Sequence, residues 1–381
     1  MALVDVASNA EVKADLVTAL APISAGEIAT AVATAALNSK LDTLLTLVKA
    51  LNLAPVAAPV ALLPPVAGPG YVMNGLTKFS TFSAAAAALK AGDTLLIYGQ
   101  ILDDSAVVNV DCTIQGATTD AGFKWTGANP AGMIWGQGFI VMNTAHLTVK
   151  GLEFQGMSST DGNACAIRGS ALSSSLTVDS CNIHDGQEGM LISAAPACVT
   201  TITNSKFAKL GAGDGQTHGI YITGASLSVS DCTFKEANGG SLIKTRTAKT
   251  LIQRCFVTDL DGTKAYCIDC CNGGDVTINN CVIEQGPTAD NHSLFTYASE
   301  GIIWPTNKYH FFKNICVDDY GLINKWVVAT GVTALMADIH DNTFASDNIQ
   351  MDFAGPILGL NNKVVARATL PAYPAIPALP L

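Results

Sequence analysis

Four polar residues near the middle of the chain have the types and spacing for acid–base and anion-binding chemistry. In THGIY, His218 and Tyr221 lie at the start of an apolar-alternating stretch. In LIKTR, Lys244 and Arg246 are two residues apart, which places them on one face of a strand. Histidine, lysine and tyrosine transfer protons in catalysis, and a guanidinium neutralises a carboxylate. We therefore take these four as candidate catalytic residues.

Three further charged residues are candidates for binding a substrate: Asp214, Glu300 and Arg254. Arg254 belongs to a basic zone in an acidic protein. The other members of that zone are Lys206, Lys209, Lys235, Lys244, Arg246 and Lys249. Under an alternative interpretation, these residues have only structural roles. Histidine and tyrosine at strand ends often hydrogen-bond turns, and lysine or arginine on the flank of a β-helix usually lies in solvent.

A short phrase that recurs between about residues 147 and 344 indicates how these residues are positioned. LTVDSCNI, LSVSDCTF and VTINNCVI are three of its copies. Aligned copies define one column of residues at intervals of 23 to 34: Leu152, Cys181, Ser205, Cys232, Cys255, Cys281, Ile315 and Asn342. Such a repeat, built from strands, predicts an all-β solenoid whose coils stack about 4.8 Å apart. In register, the strands of THGIY and LIKTR are then neighbours.

Four of the eleven cysteines, Cys181, Cys232, Cys255 and Cys281, occupy this column. One strand spacing exceeds the preferred Cβ separation of a disulfide, so we expect these thiols to act as small interior hydrophobic groups. The remaining cysteines are less determined. Disulfides between chains are an open alternative for some of them, so the sequence does not determine the redox compartment of the protein.

Composition excludes several classes of function. The formal net charge of -10 argues against nucleic-acid binding, which needs a basic surface. No apolar run is long enough to span a membrane. Asp5, Glu11, Lys13 and Asp15 lie where a signal peptide needs a basic start and an apolar run, so we expect no Sec signal. The hydrophobic fraction of 49% fits a solenoid interior or an oligomer.

The first 53 residues read as an α-helical anchor or oligomerisation segment. Ser8 with Glu11 and Ser24 with Glu27 form S-x-x-E capping boxes. Apolar residues then follow a seven-residue repeat typical of a helix bundle: Leu37, Leu41, Leu44, Val48 and Leu51. A helix packed on its own solenoid is the alternative.

Three further segments complete the predicted organisation. Residues 54–75 are a Pro/Ala-rich linker, residues 76–350 form the β-helix, and residues 351–381 form an extended Pro-rich tail. The stretch from Ser80 to Leu89 predicts a short helix with a Ser or Thr cap. Such a helix can cover the open end of the first coil, where unpaired backbone invites aggregation.

Several phrases carry a resemblance to a known family. They include GDTLLIYGQ, FIVMNTAHLTVKGLEFQG, NACAIRG, GAGDGQTHGIYI, GGSLIKTR, CNGGDVTINNCVIEQGP and YASEG. Over roughly residues 76 to 345 the chain resembles the right-handed parallel β-helix repeat proteins of the pectate-lyase-like superfamily. The resemblance implies a right-handed solenoid. It is much less specific for function, since this fold serves lyases, hydrolases, epimerases and virus spikes.

One function implied by the resemblance is that of a polysaccharide lyase or epimerase acting on acidic polysaccharide. Such a lyase needs a cation on the uronate, a base for the C5 proton and an acid for the leaving oxygen. Arg246 fits the first role, His218 or Lys244 the second, and Tyr221 the third. Binding of glycan without catalysis is equally open.

The sequence favours a different main interpretation, a structural component of a bacteriophage particle such as a spike, fibre or decoration protein. A β-helix behind a helical head and an apolar spacer resembles the plan of phage spikes and fibres. We then expect a homotrimer, contacts with other virion proteins through residues 1–70, binding of a cell-surface polysaccharide, and location in the virion. The alternative location is secreted or periplasmic, by a non-Sec route.

We expect no resident cofactor and no metal site. Asp269 shares a strand face with Cys267 and Cys271, but no second Cys/His pair completes a zinc site. Calcium has weak support, since no ladder of aspartates is visible. The carboxylates considered for calcium are Asp214, Asp231 and Asp259.

Overall fold

The computed structural model describes residues 68–127, 133, 137–193, 196–291, 293–320, 324–328, 337–346, 349–352 and 357–369, with only the backbone for 324–328, 349–352 and 357–358. The predicted helical segment 1–53, most of the predicted linker and the end of the predicted tail lie outside these residues. Within the described part of the chain, no helix is long and apolar enough to cross a membrane.

Except for an antiparallel pairing at the N-terminal end, the described strands pair in parallel and wind into a solenoid with three faces, which confirms the predicted parallel β-helix. The first face contains β5 (Ala106–Val108), β8 (Gly138–Met142), β11 (Cys165–Gly169), β14 (Glu188–Ile192), the first parts of β17 (Ile220–Ser230) and β19 (Ile243–Gln253), β21 (Ile268–Cys270), β24 (Phe295–Tyr297), β27 (Asn324–Val328) and β30 (Ile349–Asp352).

The second face continues from the first around a corner. It contains β3 (Thr94–Tyr98), β6 (Cys112–Gly116), β9 (His146–Lys150), β12 (Ser175–Asp179), β15 (Val199–Thr203), the second parts of β17 and β19, β22 (Asp275–Asn279), β25 (Lys308–Phe312), β28 (Ala337–His340) and β31 (Ile357–Leu358). Because β17 and β19 run through this corner, the two faces form one hydrogen-bonded sheet. Gly224, with φ of 148°, lies in β17 at the corner.

The third face is a separate sheet of eleven strands. It contains β4 (Gln100–Leu102), β7 (Gly122–Lys124), β10 (Glu153–Gln155), β13 (Asn182–Gly186), β16 (Lys206–Leu210), β18 (Thr233–Lys235), β20 (Phe256–Thr258), β23 (Val282–Gln285), β26 (Ile315–Asp318), β29 (Thr343–Ala345) and β32 (Lys363–Val365).

Like residues stack on like inside the solenoid, because the strands pair in register. Phe207 pairs with Phe234 on the third face, and their rings stack with centroids 4.6 Å apart and planes 3° apart. On the second face Ile202, Val229 and Ile252 follow one another, all fully buried. The alternation seen in the sequence therefore separates a continuous apolar interior from a polar exterior.

The predicted column exists, with one correction. Cys181, Ser205, Cys232, Cys255 and Cys281 occupy successive positions immediately before the third-face strands, and all are buried. The cysteines carry no disulfide; indeed all eleven cysteines of the chain are buried and free. Their role as interior hydrophobic groups is confirmed.

Ile315 was wrongly placed in the column. It pairs with Val282, so the position that follows Cys281 belongs to Asn314, and the Ile315 side chain is 37% exposed. Asn314 Oδ1 accepts a hydrogen bond from the Cys281 backbone N–H at 2.9 Å. A shift of one residue moves a strand side chain to the opposite face, and the sequence alignment was shifted by one residue here.

A left-handed backbone turn precedes each column position. Ser180, Asn204, Asp231, Arg254 and Asn280 all have φ between 51° and 57°. Asn and Asp tolerate this conformation better than most residues do, whereas Arg254 is an exception. This turn ends the second-face strand and starts the third-face strand at the same place in each coil.

The N-terminal end of the solenoid is closed by a helix, α1 (Phe82–Ala88), with Thr81 as its N-cap. Phe82 is fully buried and its ring stacks on Tyr71. Tyr71 lies in β1 (Gly70–Met73), which pairs antiparallel with β2 (Thr77–Phe79) and β3. The predicted linker boundary at residue 75 is therefore too late, because the strand that begins at Gly70 pairs with β3 and covers an otherwise open sheet edge.

The C-terminal boundary predicted at residue 350 is too early. β32 (Lys363–Val365) pairs with β29, and Asn362 continues the column. Its Oδ1 accepts a hydrogen bond from the Asn342 backbone N–H at 3.1 Å. A 3-10 helix, Arg367–Thr369, follows, and the Arg367 guanidinium bonds both carboxylate oxygens of Asp319. Backbone pairing, which single-residue composition does not show, extends the solenoid beyond the fading repeat.

Candidate functional site

The first face carries a cluster of ionisable side chains on three successive strands. Tyr221 on β17 pairs with Lys244 on β19, which pairs with Asp269 on β21. Thr223 pairs with Arg246 two residues further along. The intervening residues are buried apolar or small side chains that face the interior, so strand alternation directs the charged ones outward. The predicted stacking of THGIY on LIKTR is thus present.

Arg246 connects the cluster. Its Nε donates to the Tyr221 hydroxyl oxygen at 2.7 Å, and its Nη1 donates to Asn272 Oδ1 at 2.5 Å. Its Nη2 bonds Glu300 Oε2. Since the planar guanidinium fixes three partners at once, the Tyr221 hydroxyl and the Glu300 carboxylate are both held by one cation.

Lys244 lies between two carboxylates. Its Nζ is 3.0 Å from Glu300 Oε1 and 3.2 Å from Asp269 Oδ2. Burial opposes the charged form of Lys244, but Asp269 and Glu300 outweigh it, so its pKa is raised. The side chain is therefore an ammonium at neutral pH, and the geometry argues against its predicted role as a base.

His218 touches the cluster as a neutral ring. Its Nδ1 accepts a hydrogen bond from the Ser241 backbone N–H at 2.9 Å, and its ring makes a T-shaped contact with the Tyr221 ring, with centroids 5.6 Å apart. Burial, followed by the positive charge of Lys244, lowers the pKa of His218 to about 3. Because Nδ1 is engaged and the ring is a weak base, the geometry also argues against His218 as the base.

Glu300 reaches the cluster from the loop after β24. Its backbone N–H donates to Cys271 O at 2.8 Å, and its side chain is 42% exposed. Burial raises its pKa, but the hydrogen bonds from Lys244 and Arg246 have the larger combined effect and lower it. An exposed carboxylate thus rests on two cations, which is how a carboxylate ligand would bind there.

Two predicted site residues are not part of the cluster. Asp214 Oδ1 accepts hydrogen bonds from the backbone of Gln216 and Thr217, so it shapes the turn before His218. Arg254 lies in a left-handed turn after the second face and makes a two-bond ion pair with Asp231, at 2.7 Å each. The predicted basic zone groups residues that are neighbours in the sequence, whereas the left-handed turn places Arg254 at another edge of the coil.

Three residues that were not selected from the sequence lie in the cluster or on the same face beside it. Asp269 and Asn272 contact Lys244 and Arg246 directly, and strand register would have revealed Asp269. Glu188, at the start of β14 on the same face, is 1% exposed and its Oε2 has no hydrogen-bond partner among the described residues. Burial raises the pKa of Glu188 to about 8. No local motif distinguishes it.

The cluster fits a metal ion poorly. Ligand atoms of Asp269, Cys271 and Glu300 lie within 4.8 Å of one another. However, the Lys244 ammonium already occupies the space between the two carboxylates, and burial raises the pKa of the Cys271 thiol to about 12. Cys267, the third residue of the zinc alternative, donates instead to Glu284 O.

A groove of about 790 Å³ lies at the corner between the third and first faces. It crosses the turns of five successive coils, and none of its described lining residues belongs to the cluster. Its charged lining residues are Asp185, Lys209, Glu236 and Asp261. The groove and the cluster are therefore two separate surface features.

Comparison with known protein families agrees with this architecture. The family described as right handed beta helix region matches residues 137–291 and 173–322. No curated protein matches the chain. The crystal structure of alginate lyase from Paenibacillus sp. str. FPU-7 is similar over 74% of this chain and 95% of that chain, with 16% identity and a TM-score of 0.37. That similarity is too low to support an argument about function. Residues 137–322 therefore match the right-handed β-helix family, and the described residues have the fold of a right-handed parallel β-helix.

Proposed function

We propose that the chain is a polysaccharide lyase that cleaves an acidic polysaccharide at the Tyr221–Lys244–Arg246 cluster. One observation carries the proposal. Arg246 holds the Tyr221 hydroxyl and an exposed carboxylate, that of Glu300, at the same time. A uronate that replaces the Glu300 carboxylate then lies beside the tyrosine hydroxyl.

The proposed chemistry is β-elimination. Arg246 and Lys244 neutralise the uronate carboxylate, which makes the proton on the neighbouring carbon C5 easier to remove. The C5–H electron pair forms the C4=C5 double bond, the bond from C4 to its glycosidic oxygen breaks, and that oxygen takes up a proton. Lys244 and His218 are poorly suited as bases. We therefore assign the transfer of the proton to Tyr221, whose oxygen lies beside Arg246.

The surface suits a polymer because coils repeat along the solenoid. The first face presents side chains at every coil, so a chain of sugars can contact several strands at once. Asp269 keeps Lys244 in place from the buried side, with its other oxygen accepting from Thr296 Oγ1 at 2.5 Å. The cations are thus positioned before a substrate arrives, which is what electrostatic catalysis requires.

The test uses two arginines of the same chain. Purified protein is incubated with alginate, pectate and other polyuronates, and the ultraviolet absorbance of the unsaturated product is followed. Arg246→Ala is expected to lower the rate at least about 100-fold, the usual cost of removing one group that stabilises a developing charge. Arg254→Ala, the matched control outside the cluster, is expected to leave the rate unchanged.

Two outcomes decide against the lyase. If the wild-type protein yields no unsaturated product from any polyuronate, the proposal is wrong. If it binds a polyuronate without product, and Arg246→Ala alone removes that binding, the cluster is a glycan-binding site. Tyr221→Phe separates the two functions further, since it removes the proton-transfer group while keeping the ring.

Membership of a bacteriophage particle stays a prediction, as do the homotrimer, the virion partners and the alternative export route. These predictions depend on residues 1–70, which lie almost entirely outside the described residues. A glycan-binding outcome in the experiment above is compatible with them. The expectation of no resident cofactor, with calcium as the weakly supported alternative, also stays a prediction.

A further inference from the structure

A fully buried lysine and aspartate face each other in the turn between β20 and β21. Lys264 and Asp259 are both 0% exposed, and Lys264 Nζ lies 4.0 Å from Asp259 Oδ2. Neither atom has a hydrogen-bond partner among the described residues. The remaining carboxylate oxygen of Asp259 accepts from the Lys264 backbone N–H at 3.4 Å, so the turn brings the two side chains back to each other.

As separate ions, these two groups are in an unfavourable environment. Both have lost their hydration, and a contact of this length without hydrogen bonds offsets little of that cost. Burial raises the pKa of Asp259 to about 6, although Lys264 opposes the shift. Transfer of a proton from the ammonium to the carboxylate removes both charges and leaves an amine beside a carboxylic acid, which are the reactants of amide formation.

A second carboxyl group fixes the backbone that carries Asp259. Glu284 is 1% exposed, and its Oε2 accepts from the backbone N–H groups of Asp259 at 3.0 Å and Leu260 at 3.1 Å, and from the Thr258 hydroxyl. Burial raises the pKa of Glu284 as well. A carboxyl group at this position can relay a proton to a departing oxygen.

We propose that Lys264 and Asp259 are joined by an intramolecular amide bond. The bond from Lys264 Nζ to Asp259 Cγ forms and the bond from Cγ to Oδ2 breaks. Oδ2 leaves as water, with one proton from the carboxylic acid and one from the amine, passed through Glu284. The reaction is a dehydration within the chain, so no oxidant, reductant or co-reactant is needed.

The amide has a structural consequence for the groove. The bond closes a ring over residues 259–264, and Asp261, Gly262 and Thr263 in this ring line the groove. Gly262 already fits tightly, because a Cβ added there would lie 2.4 Å from Asp259 Oδ1. The cross-link therefore fixes the shape of one groove wall.

Peptide mapping of the wild-type protein tests the proposal. Trypsin cuts after Arg254, Lys264 and Lys308, because 255–263 and 265–307 contain no other lysine or arginine. An unmodified chain gives peptides 255–264 and 265–308. A lysine in an amide is no longer a trypsin site, so the cross-linked chain gives one peptide, 255–308, lighter by one water. Release of peptide 255–264 in quantity from the wild-type protein overturns the proposal.

Controls separate the amide from a succinimide at Asp261-Gly262, which also loses water. Lys264→Met keeps the stem and removes the amine, so we expect no loss of water; loss that persists in this variant is the succinimide and contradicts the amide. Asp259→Asn is expected to give the same cross-linked peptide, because ammonia leaves instead of water. Glu284→Gln is expected to lower the cross-linked fraction. The wild-type map decides the matter even if a variant fails to fold.

Discussion

Arg246 and Lys244 carry the same charge but do different work in the cluster. The guanidinium of Arg246 bonds Tyr221, Asn272 and Glu300 in one plane. The ammonium of Lys244 is a point charge between Asp269 and Glu300. Exchange of Arg246 for lysine would keep the charge and lose the fixed tyrosine, so orientation depends on the arginine.

The buried carboxyl group of Glu188 is expected to make the stability of the protein depend on pH. Its pKa is raised from 4.5 to about 8 by burial. Between these values the folded state keeps a proton that the unfolded state releases, so stability falls as pH rises from about 4.5 to about 8. We expect Glu188→Gln to remove this loss, which has an upper limit of about 1.4 kcal/mol per pH unit. Urea unfolding of both proteins at pH 5 and pH 8 measures it.

The control for Glu188→Gln is Gln115→Asn, at an exposed position of β6 where neither side chain titrates. Its difference from the wild-type protein is therefore expected to change little over the same pH range. If the wild-type protein and Glu188→Gln show parallel pH dependence, Glu188 is ionised in the folded protein.

The placement of individual side chains was predictable from the sequence where two positions in one strand define a face. Lys244 and Arg246 are such a pair, and Tyr221 followed from stacking. Arg254 was misplaced, because the direction of a side chain depends on the turn that carries it and not on the charge of its neighbours in the sequence. Glu188 could not be found, because its burial depends on neighbouring coils.

At the scale of elements, the column changes its chemistry along the solenoid. Thiols dominate up to Cys281, and asparagines continue it with Asn314, Asn342 and Asn362. Asn342 Oδ1 accepts from the Asn314 backbone N–H at 2.9 Å, and its Nδ2 donates to Phe311 O at 2.9 Å. Each side chain thus connects consecutive coils through backbone groups that would otherwise be unsatisfied.

Substitution of Asn342 is expected to destabilise the solenoid. Asn342→Ala leaves buried donors and acceptors of two coils without partners, which costs roughly 1–3 kcal/mol for each buried group. Chemical denaturation measures the free energy of unfolding. Asn163→Ala, in an exposed loop, is the matched control and should change stability by less than about 0.5 kcal/mol. Equal effects of the two substitutions would show that the column contributes no special stability.

The strand register at the column was only partly predictable from the sequence. Alternation and recurring phrases were sufficient to predict coils, strands and the interior thiols. The phrase FFKNICV was aligned by its last residue, Val317, and that alignment placed Ile315 in the column instead of Asn314. Asparagine is preferred at this position because its amide bonds the adjacent coils, and hydrophobic pattern does not record hydrogen bonding.

At the scale of the molecule, the eleven buried thiols predict how the protein responds to thiol reagents. All eleven are free and buried, so the native protein is expected to react with a water-soluble reagent only as fast as it unfolds locally. In denaturant all eleven are expected to react. Rapid labelling of several thiols in the native state, or a change of mass on reduction, would contradict this structure.

The extent of the solenoid was predictable from the sequence only where the repeat is continuous. The solenoid was predicted because its phrases recur over many coils, and both of its boundaries were missed because the end strands lack the phrase. β1 and β32 are recognised only by what they pair with. The head and the end of the tail remain outside the described residues.

The turn with positive φ allows coils of unequal length to share one core. From Gly151 to Asn361 these turns recur at unequal intervals, and the interval from Asn280 to Lys313 is the longest. Its additional residues include the loop that carries Glu300. Insertions are therefore accommodated outside the stacked interior. A chain built this way can exchange the loop above the cluster, and with it the ligand that is accepted, while every interior column stays in register.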